Sequence, residues 1–153
     1  MKVIFLDIDG VLNHTQWYVD DRNPGNLNGQ EGDIDPLCVE RVFRIVNETG
    51  AKIVLSSDWK LSWPFARQRL EKAGFPEGLI IDKTPDLVMR VTDQRGLEIK
   101  SWLGQHKDCT NFCIIDDRTD FYEEQLPHFV HVDSFCGLTD DNADIAIMIL
   151  NHH

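Results

Sequence analysis

Lys2-Val3-Ile4-Phe5-Leu6-Asp7-Ile8-Asp9-Gly10 opens the chain and decides how the rest is read. Val3 to Leu6 form an unbroken apolar run, the pattern of a short strand buried on both faces. The run ends abruptly in Asp7, so a carboxylate is fixed at the end of a buried strand. Asp9 follows two residues on, and Gly10 permits a sharp exit from the strand. Two carboxylates this close repel, and one tends to hold a proton unless a cation lies between them.

Outward from this stretch, strand-like runs alternate with helical periods. Pro36 to Thr49 reads as a helix, with Asp35 as N-cap, Pro36 in the first helical position and Gly50 as the stop. Val39, Val42, Phe43 and Val46 form its apolar stripe. Ile53-Val54-Leu55 is a second strand, Trp63 to Lys72 a helix, and Leu79-Ile80-Ile81 a third strand. Arg95 to Gln105 is a helix with Ile99, Trp102 and Leu103 inward. Phe112 to Ile115 and Phe129 to Val132 are the fourth and fifth strands. Thr139 caps a last helix, expected to turn Ile145, Met148 and Ile149 to the core. The alternation predicts an α/β, Rossmann-like three-layer sandwich around a five-stranded parallel sheet, one domain over residues 1–153.

Ligands in such sheets bind outside the carboxyl ends of the strands. Polar residues follow the strands with unusual regularity: Asp7 and Asp9 after the first, Ser56 and Ser57 after the second, Asp116 and Asp117 after the fourth, Asp133 after the fifth. Each pair alone would be an ordinary turn or cap. Together at one sheet edge they predict a metal-assisted phosphate site. Oxygen ligands without clustered imidazoles point to Mg²⁺ and not to zinc. A carboxylate there can attack phosphorus, and a second can protonate the leaving oxygen and later activate water. Ser56, with Ser57 beside it, offers hydroxyls to phosphate oxygens. Arg95, at a helix start, offers the cation, with Lys60 and Lys100 as alternatives.

Composition narrows the field. The chain has 153 residues, 42% hydrophobic and 27% charged, which suits one globular core and argues against overall disorder. Its net charge of -11 disfavours a broad grip on nucleic acid while leaving room for a local basic groove. Val3 to Leu6 is too short for a signal sequence or a membrane span, so a cytoplasmic location without membrane contact is expected. The 4 cysteines, Cys38, Cys109, Cys113 and Cys136, are then expected as free structural thiols, the Cys109/Cys113 pair lacking a second pair to complete a zinc site.

Phe5-Leu6-Asp7-Ile8-Asp9-Gly10-Val11-Leu12-Asn13 resembles the first motif of the haloacid dehalogenase (HAD) superfamily of phosphatases. Val54-Leu55-Ser56-Ser57 resembles its second, Arg95 its third, and Ile114-Ile115-Asp116-Asp117 its fourth, with Asp120 as a later acid. The resemblance covers nearly the whole chain. It implies Asp7 as nucleophile, Asp9 as acid/base, and Mg²⁺ held by the Asp7 side chain, the Asp9 backbone carbonyl and Asp116 or Asp117. Ser56-Ser57-Asp58-Trp59-Lys60, Arg95 to Leu103, and Gly137-Leu138-Thr139 are also similar to a compact subgroup found in nucleic-acid repair proteins. That subgroup tends to carry Ser-Trp-Arg where this chain has Asp58-Trp59-Lys60. The implied substrate is a phosphorylated small molecule or a nucleic-acid phosphate end, and no obligate protein partner is evident.

Larger relatives in this superfamily carry a folded cap, for which residues 13–34 are too few. That insertion is expected as a minimal lid, rich in glycine (Gly25, Gly29, Gly32), with Trp17 and Tyr18 as either stacking or anchoring groups. His14 is expected as a solvated loop residue or a leaving-group contact. Rival readings are a receiver-type phospho-acceptor domain, with Asp58 as acceptor, and a catalytically idle binding module. The receiver reading lacks a Lys after the fifth strand.

Overall fold

The computed structural model describes residues 1–23, 34–87 and 94–152. Strand β1 (Lys2–Leu6) is followed by one helical turn, α1 (Thr15–Tyr18), and then by α2 (Pro36–Thr49), β2 (Lys52–Leu55) and a 3₁₀ segment (Asp58–Ser62). Helix α3 (Trp63–Lys72), β3 (Ile80–Lys83), α4 (Gln94–Gln105) and β4 (Asn111–Asp116) come next. A second 3₁₀ segment (Glu123–His128), β5 (Phe129–His131) and α5 (Asp140–Asn151) complete the order. The strands form one 5-stranded parallel sheet in the order β3-β2-β1-β4-β5. The chain builds outward from β1 in one direction, then returns to lay β4 on its other side. The switch in direction therefore falls between β1 and β4, where the acids lie.

Side-chain alternation along the strands separates two cores. Ile4 and Leu6 of β1, Ile53 and Leu55 of β2, and Cys113 and Ile115 of β4 pack with α2, α3 and α5 through Val42, Ile45, Leu70, Ala143, Ala146 and Leu150. Val3, Phe5, Val54 and Ile114 point the opposite way, onto Ile99 and Trp102 of α4 and onto Phe121. Among the described residues, the single helix on this second face is supplemented by aromatic edges: Phe5 meets Trp102 and Phe112 edge-on, with ring centroids 5.4 and 5.8 Å apart. These layers make the Rossmann-like sandwich that the alternation of elements predicts.

Local signals set the boundaries. Asp35 accepts from Leu37 N at 3.0 Å to cap α2, Pro36 occupies its first turn, and the helix stops at Gly50. Thr139 and Asn142 form a reciprocal capping box at the start of α5. The third strand runs later than the apolar run suggests, because Asp82 and Lys83 join the ladder beyond a register shift against β2.

The inward face of α5 needs correction. Ile145 and Met148 are 45% and 71% exposed, whereas Ala143, Ala146 and Leu150 are buried. Ile149 is only partly buried. A helix packing closely on α2 uses small residues at the contact, so the largest apolar side chains of α5 do not mark its inward face.

The insertion after β1 divides. Trp17 is buried in α1, so it anchors the segment, while Tyr18 beside it is 39% exposed. Gly25, Gly29 and Gly32, with the rest of residues 24–33 of the expected lid, lie outside the described residues. His14 is neither solvated nor directed at a leaving group. Its Nε2 lies 2.7 Å from Asp35 Oδ2, and its Nδ1 accepts from Trp17 N at 3.2 Å, with both His14 and Asp35 buried. Accepting at Nδ1 leaves Nε2 to carry the proton donated to Asp35. The pair ties the end of the β1 loop to the start of α2. All 4 cysteines are free, and burial pushes the Cys38 thiol up to about 12 and the Cys113 thiol higher than its ordinary value. No described helix is long and apolar enough to cross a membrane.

Candidate active site at the carboxyl edge of the sheet

Backbone ladders deliver the acids to one place. Asp7 N donates to Ile115 O at 3.0 Å, extending the β1–β4 pairing to the residue before Asp116. Ser56 N donates to Leu6 O at 3.1 Å, which sets Ser56 beside the last residue of β1. Carboxylate oxygens of Asp7, Asp116 and Asp117 all lie within 4.8 Å of one another, with Asp7 and Asp116 buried and Asp117 half-buried. Burial, followed by the neighbouring Asp116 charge, raises the Asp7 carboxyl well above its ordinary value, against the lowering effect of Arg95. Asp116 is raised too, chiefly by burial. Crowded buried acids of this kind are what a divalent cation relieves, and the all-oxygen donor set fits Mg²⁺.

Gly10 makes the cluster possible. Its φ is +84°, and a Cβ there would collide with the Asp117 carboxylate, so both the turn and the close approach of Asp117 require glycine.

Arg95 is the cation that reaches this cluster. Its Nη1 donates to both Asp116 oxygens at 2.9 and 3.1 Å and lies 3.4 Å from Asp7 Oδ1. Its Nη2 lies 3.4 Å from Asp58 Oδ1. Burial alone would lower the guanidinium, but Asp116 and Asp7 outweigh it and hold the group above its ordinary value. The two alternatives are engaged elsewhere. Lys60 is buried against Glu98 at 2.8 Å and Thr84 at 3.0 Å. Lys100 is exposed, over the Tyr122 ring and 3.6 Å from Glu124.

Asp120, expected as a later acid, holds the start of α4. It accepts from Arg95 N at 3.3 Å through its side chain and from Gly96 N at 3.1 Å through its carbonyl, while Arg118 pairs with its carboxylate at 2.7 Å. A Cβ on Gly96 would crowd Gln125, Asp120 and Phe121, so this glycine lets the helix start press onto that segment. Arg95 is thus aimed by contacts more than 20 residues distant in sequence.

Asp9 stands apart from the three-acid cluster, exposed on the solvent side. Asn13 Nδ2 donates to its Oδ1 at 3.0 Å, and Trp59 Nε1 donates to both carboxylate oxygens at 3.1 Å. Trp59 was not singled out as a site residue by the sequence. Its signals are its position three residues after Ser56 and its place in the Ser56-Ser57-Asp58-Trp59-Lys60 stretch shared with the repair-protein subgroup. Ser57 Oγ accepts from Trp59 N at 3.2 Å and so caps the 3₁₀ segment that carries the indole. Ser56 Oγ is different: it is buried with no hydrogen-bond partner among the described residues. Leaving a buried hydroxyl unsatisfied costs about 1–3 kcal/mol, and such an atom calls for an explanation. Asp133 accepts from Phe135 N at 2.9 Å and serves as a strand-end cap. Asp58, the receiver-type candidate, is an exposed side chain outside the acid cluster.

A parallel sheet with acids after β1 and β4 and a hydroxyl after β2 defines a compact HAD-fold domain of the phosphatase-like hydrolase class. A family model describing the HAD domain in Swiss Army Knife RNA repair proteins matches residues 3–143, and the chain belongs to that family. No curated protein and no solved structure matches the chain significantly.

Proposed function

We propose that this domain is a Mg²⁺-dependent phosphomonoesterase that works through an aspartyl-phosphate on Asp7, with a nucleotide or a nucleic-acid phosphate end as substrate. The observation that carries the reading is the unpartnered, buried Ser56 hydroxyl beside the crowded acids Asp7, Asp116 and Asp117. A phosphate oxygen is the natural acceptor for that hydroxyl, and a cation is the natural relief for those acids. The family's description as RNA repair proteins favours a nucleic-acid-related ester.

In this mechanism an Asp7 carboxylate oxygen attacks phosphorus as the bond to the leaving oxygen breaks. The Asp9 carboxylic acid gives that oxygen its proton. The resulting Asp9 carboxylate then takes a proton from water, whose oxygen attacks the phosphorus of the acyl phosphate. Inorganic phosphate leaves, and both acids return to their starting forms. Ser56 Oγ donates to a phosphate oxygen, and Arg95 balances the charge of Asp7 and Asp116. Bound to Asp7, Asp117 and the Asp9 carbonyl, Mg²⁺ would shield the nucleophile from the incoming phosphate and stabilise transition-state charge. Asn13 and Trp59 hold the Asp9 carboxylate toward the leaving group.

The test is a screen of phosphate esters, with and without Mg²⁺, that includes nucleotides and phosphorylated oligonucleotide ends. Mg²⁺-dependent release of phosphate from at least one class is expected, and none from any class would end the reading. Asp9→Asn is expected to slow turnover about 10²–10⁴-fold, the usual scale of general acid–base help. The loss should be greatest with poor leaving groups, and an undiminished rate on such esters would remove Asp9 from this role.

A further inference from the structure

A groove of about 470 Å³ starts at Asp9 and Asn13 and is walled by Tyr18, Trp59, Phe65 and Arg69, with Asp58 and Ser62 at its rim. A second hollow of about 390 Å³ continues it past Phe65 and Arg69 to Ile34 and Lys72. The aromatic wall is unusual for a surface. Phe65 is 60% exposed and Tyr18 39%. The Arg69 guanidinium lies 4.7 Å from the Trp59 ring and 5.7 Å from the Phe65 ring. None of these side chains belongs to the acid cluster around Asp7.

We infer that this groove is a nucleobase subsite for the leaving group, with Phe65 as its stacking platform; the inference rests on the phosphomonoesterase reading above. An acid that protonates the leaving oxygen must face the leaving group, so whatever is esterified to the phosphate extends from Asp9 into this groove. An exposed aromatic face suits a flat heterocycle, and base stacking on such a face is tolerant of sequence. Polar atoms of Asp58 and Ser62 along the groove suit the edge of a base and would be wasted on an alkyl chain. A bare sugar phosphate would leave Phe65 uncovered. In a chain of net charge -11, Arg69 and Lys72 along this path also provide local positive charge for a neighbouring phosphate. Trp59 links the subsite to the chemistry, because the ring that walls the groove donates its N–H to Asp9.

The experiment compares wild type with Phe65→Ala and Phe65→Tyr on adenosine 5′- and 3′-monophosphates, ribose 5-phosphate and octyl phosphate, all with Mg²⁺. Phe65→Ala is expected to raise KM for the adenosine esters on the order of tenfold, the scale of one lost stacking contact, with little change in kcat. Phe65→Tyr should restore it, and ribose 5-phosphate should not respond to either variant. An equal loss on ribose 5-phosphate, or no loss on either adenosine ester, overturns the subsite. Octyl phosphate turned over as well as the nucleotides and equally dependent on Phe65 overturns the nucleobase in favour of an apolar group. If wild type hydrolyses none of the esters, the phosphatase reading fails by itself. The subsite is then decided by calorimetric binding of adenosine monophosphate: binding that Phe65→Ala abolishes supports it, and no binding to wild type overturns it.

Discussion

Asp7→Asn is expected to reduce turnover by more than about 10⁴-fold while leaving the fold intact, the scale seen when a covalent nucleophile is removed. The amide nearly matches the carboxylate in shape but is a poor nucleophile and a weaker metal ligand. The same substitution removes a buried carboxyl whose ionisation the fold opposes, so the metal-free variant should melt no lower than wild type. Folded Asp7 holds its proton more tightly than the unfolded carboxyl, whose ordinary value is 3.8. The folded state therefore binds more protons, and stability falls as pH rises. This contribution is intact below 3.8 and is lost as pH climbs toward the raised folded value. The melting temperature of metal-free wild type should thus decline from acid toward neutral pH, Mg²⁺ should counter the decline, and Asp7→Asn should flatten it. Wild-type-like turnover in the variant would remove Asp7 from the mechanism, and an unchanged pH slope would remove it from the buried-charge argument.

Chelation is expected to abolish turnover, and the neighbours Asp116 and Asp117 should separate into two phenotypes. Asp116 is fully buried, accepts both hydrogen bonds of Arg95 Nη1, and takes Arg118 N at 2.9 Å. Asp116→Ala would leave the Arg95 charge buried with less compensation, a loss on the order of 3–5 kcal/mol when a buried pair is broken. Asp117 is half-buried, lies against Gly10 and has a carboxylate oxygen within 4.8 Å of one on Asp7. Asp117→Ala should leave the melting temperature close to wild type and raise the Mg²⁺ needed for half-maximal rate far more than its neighbour does. Urea melts and Mg²⁺ titrations of both variants separate the two effects. A larger Mg²⁺ shift in Asp116→Ala would exchange their roles, and full activity in exhaustively metal-free protein would falsify the metal assignment.

Much of this molecule was legible because its signals are local. An apolar run ending in an acid marks β1 and Asp7, since a buried strand fixes whatever follows it. Asp35, Pro36 and Gly50 bound α2, and Thr139 starts α5, because caps act within one turn of the chain. The parallel sheet followed from alternation alone, and with it the edge where Asp7, Ser56 and Asp116 meet. Contacts between distant segments were not legible in the same way. Sequence offered Arg95 first, for its place at a helix start, with Lys60 and Lys100 as alternatives. Packing of α4 on the segment from Asp120 to Gln125 aims Arg95 at Asp7, while Glu98 of the same helix captures Lys60. His14 looked like loop until Asp35 met it, and Ile145 looked like core until the smaller Ala143 and Ala146 took the contact with α2. Sequence by itself determined where the strand-end acids lie, because strand direction and side-chain type suffice to place a carboxylate. Tertiary structure alone decided which cation and which indole reach the acids and which face of α5 turns inward, because a charge or an aromatic ring takes its place from the neighbour it is packed against.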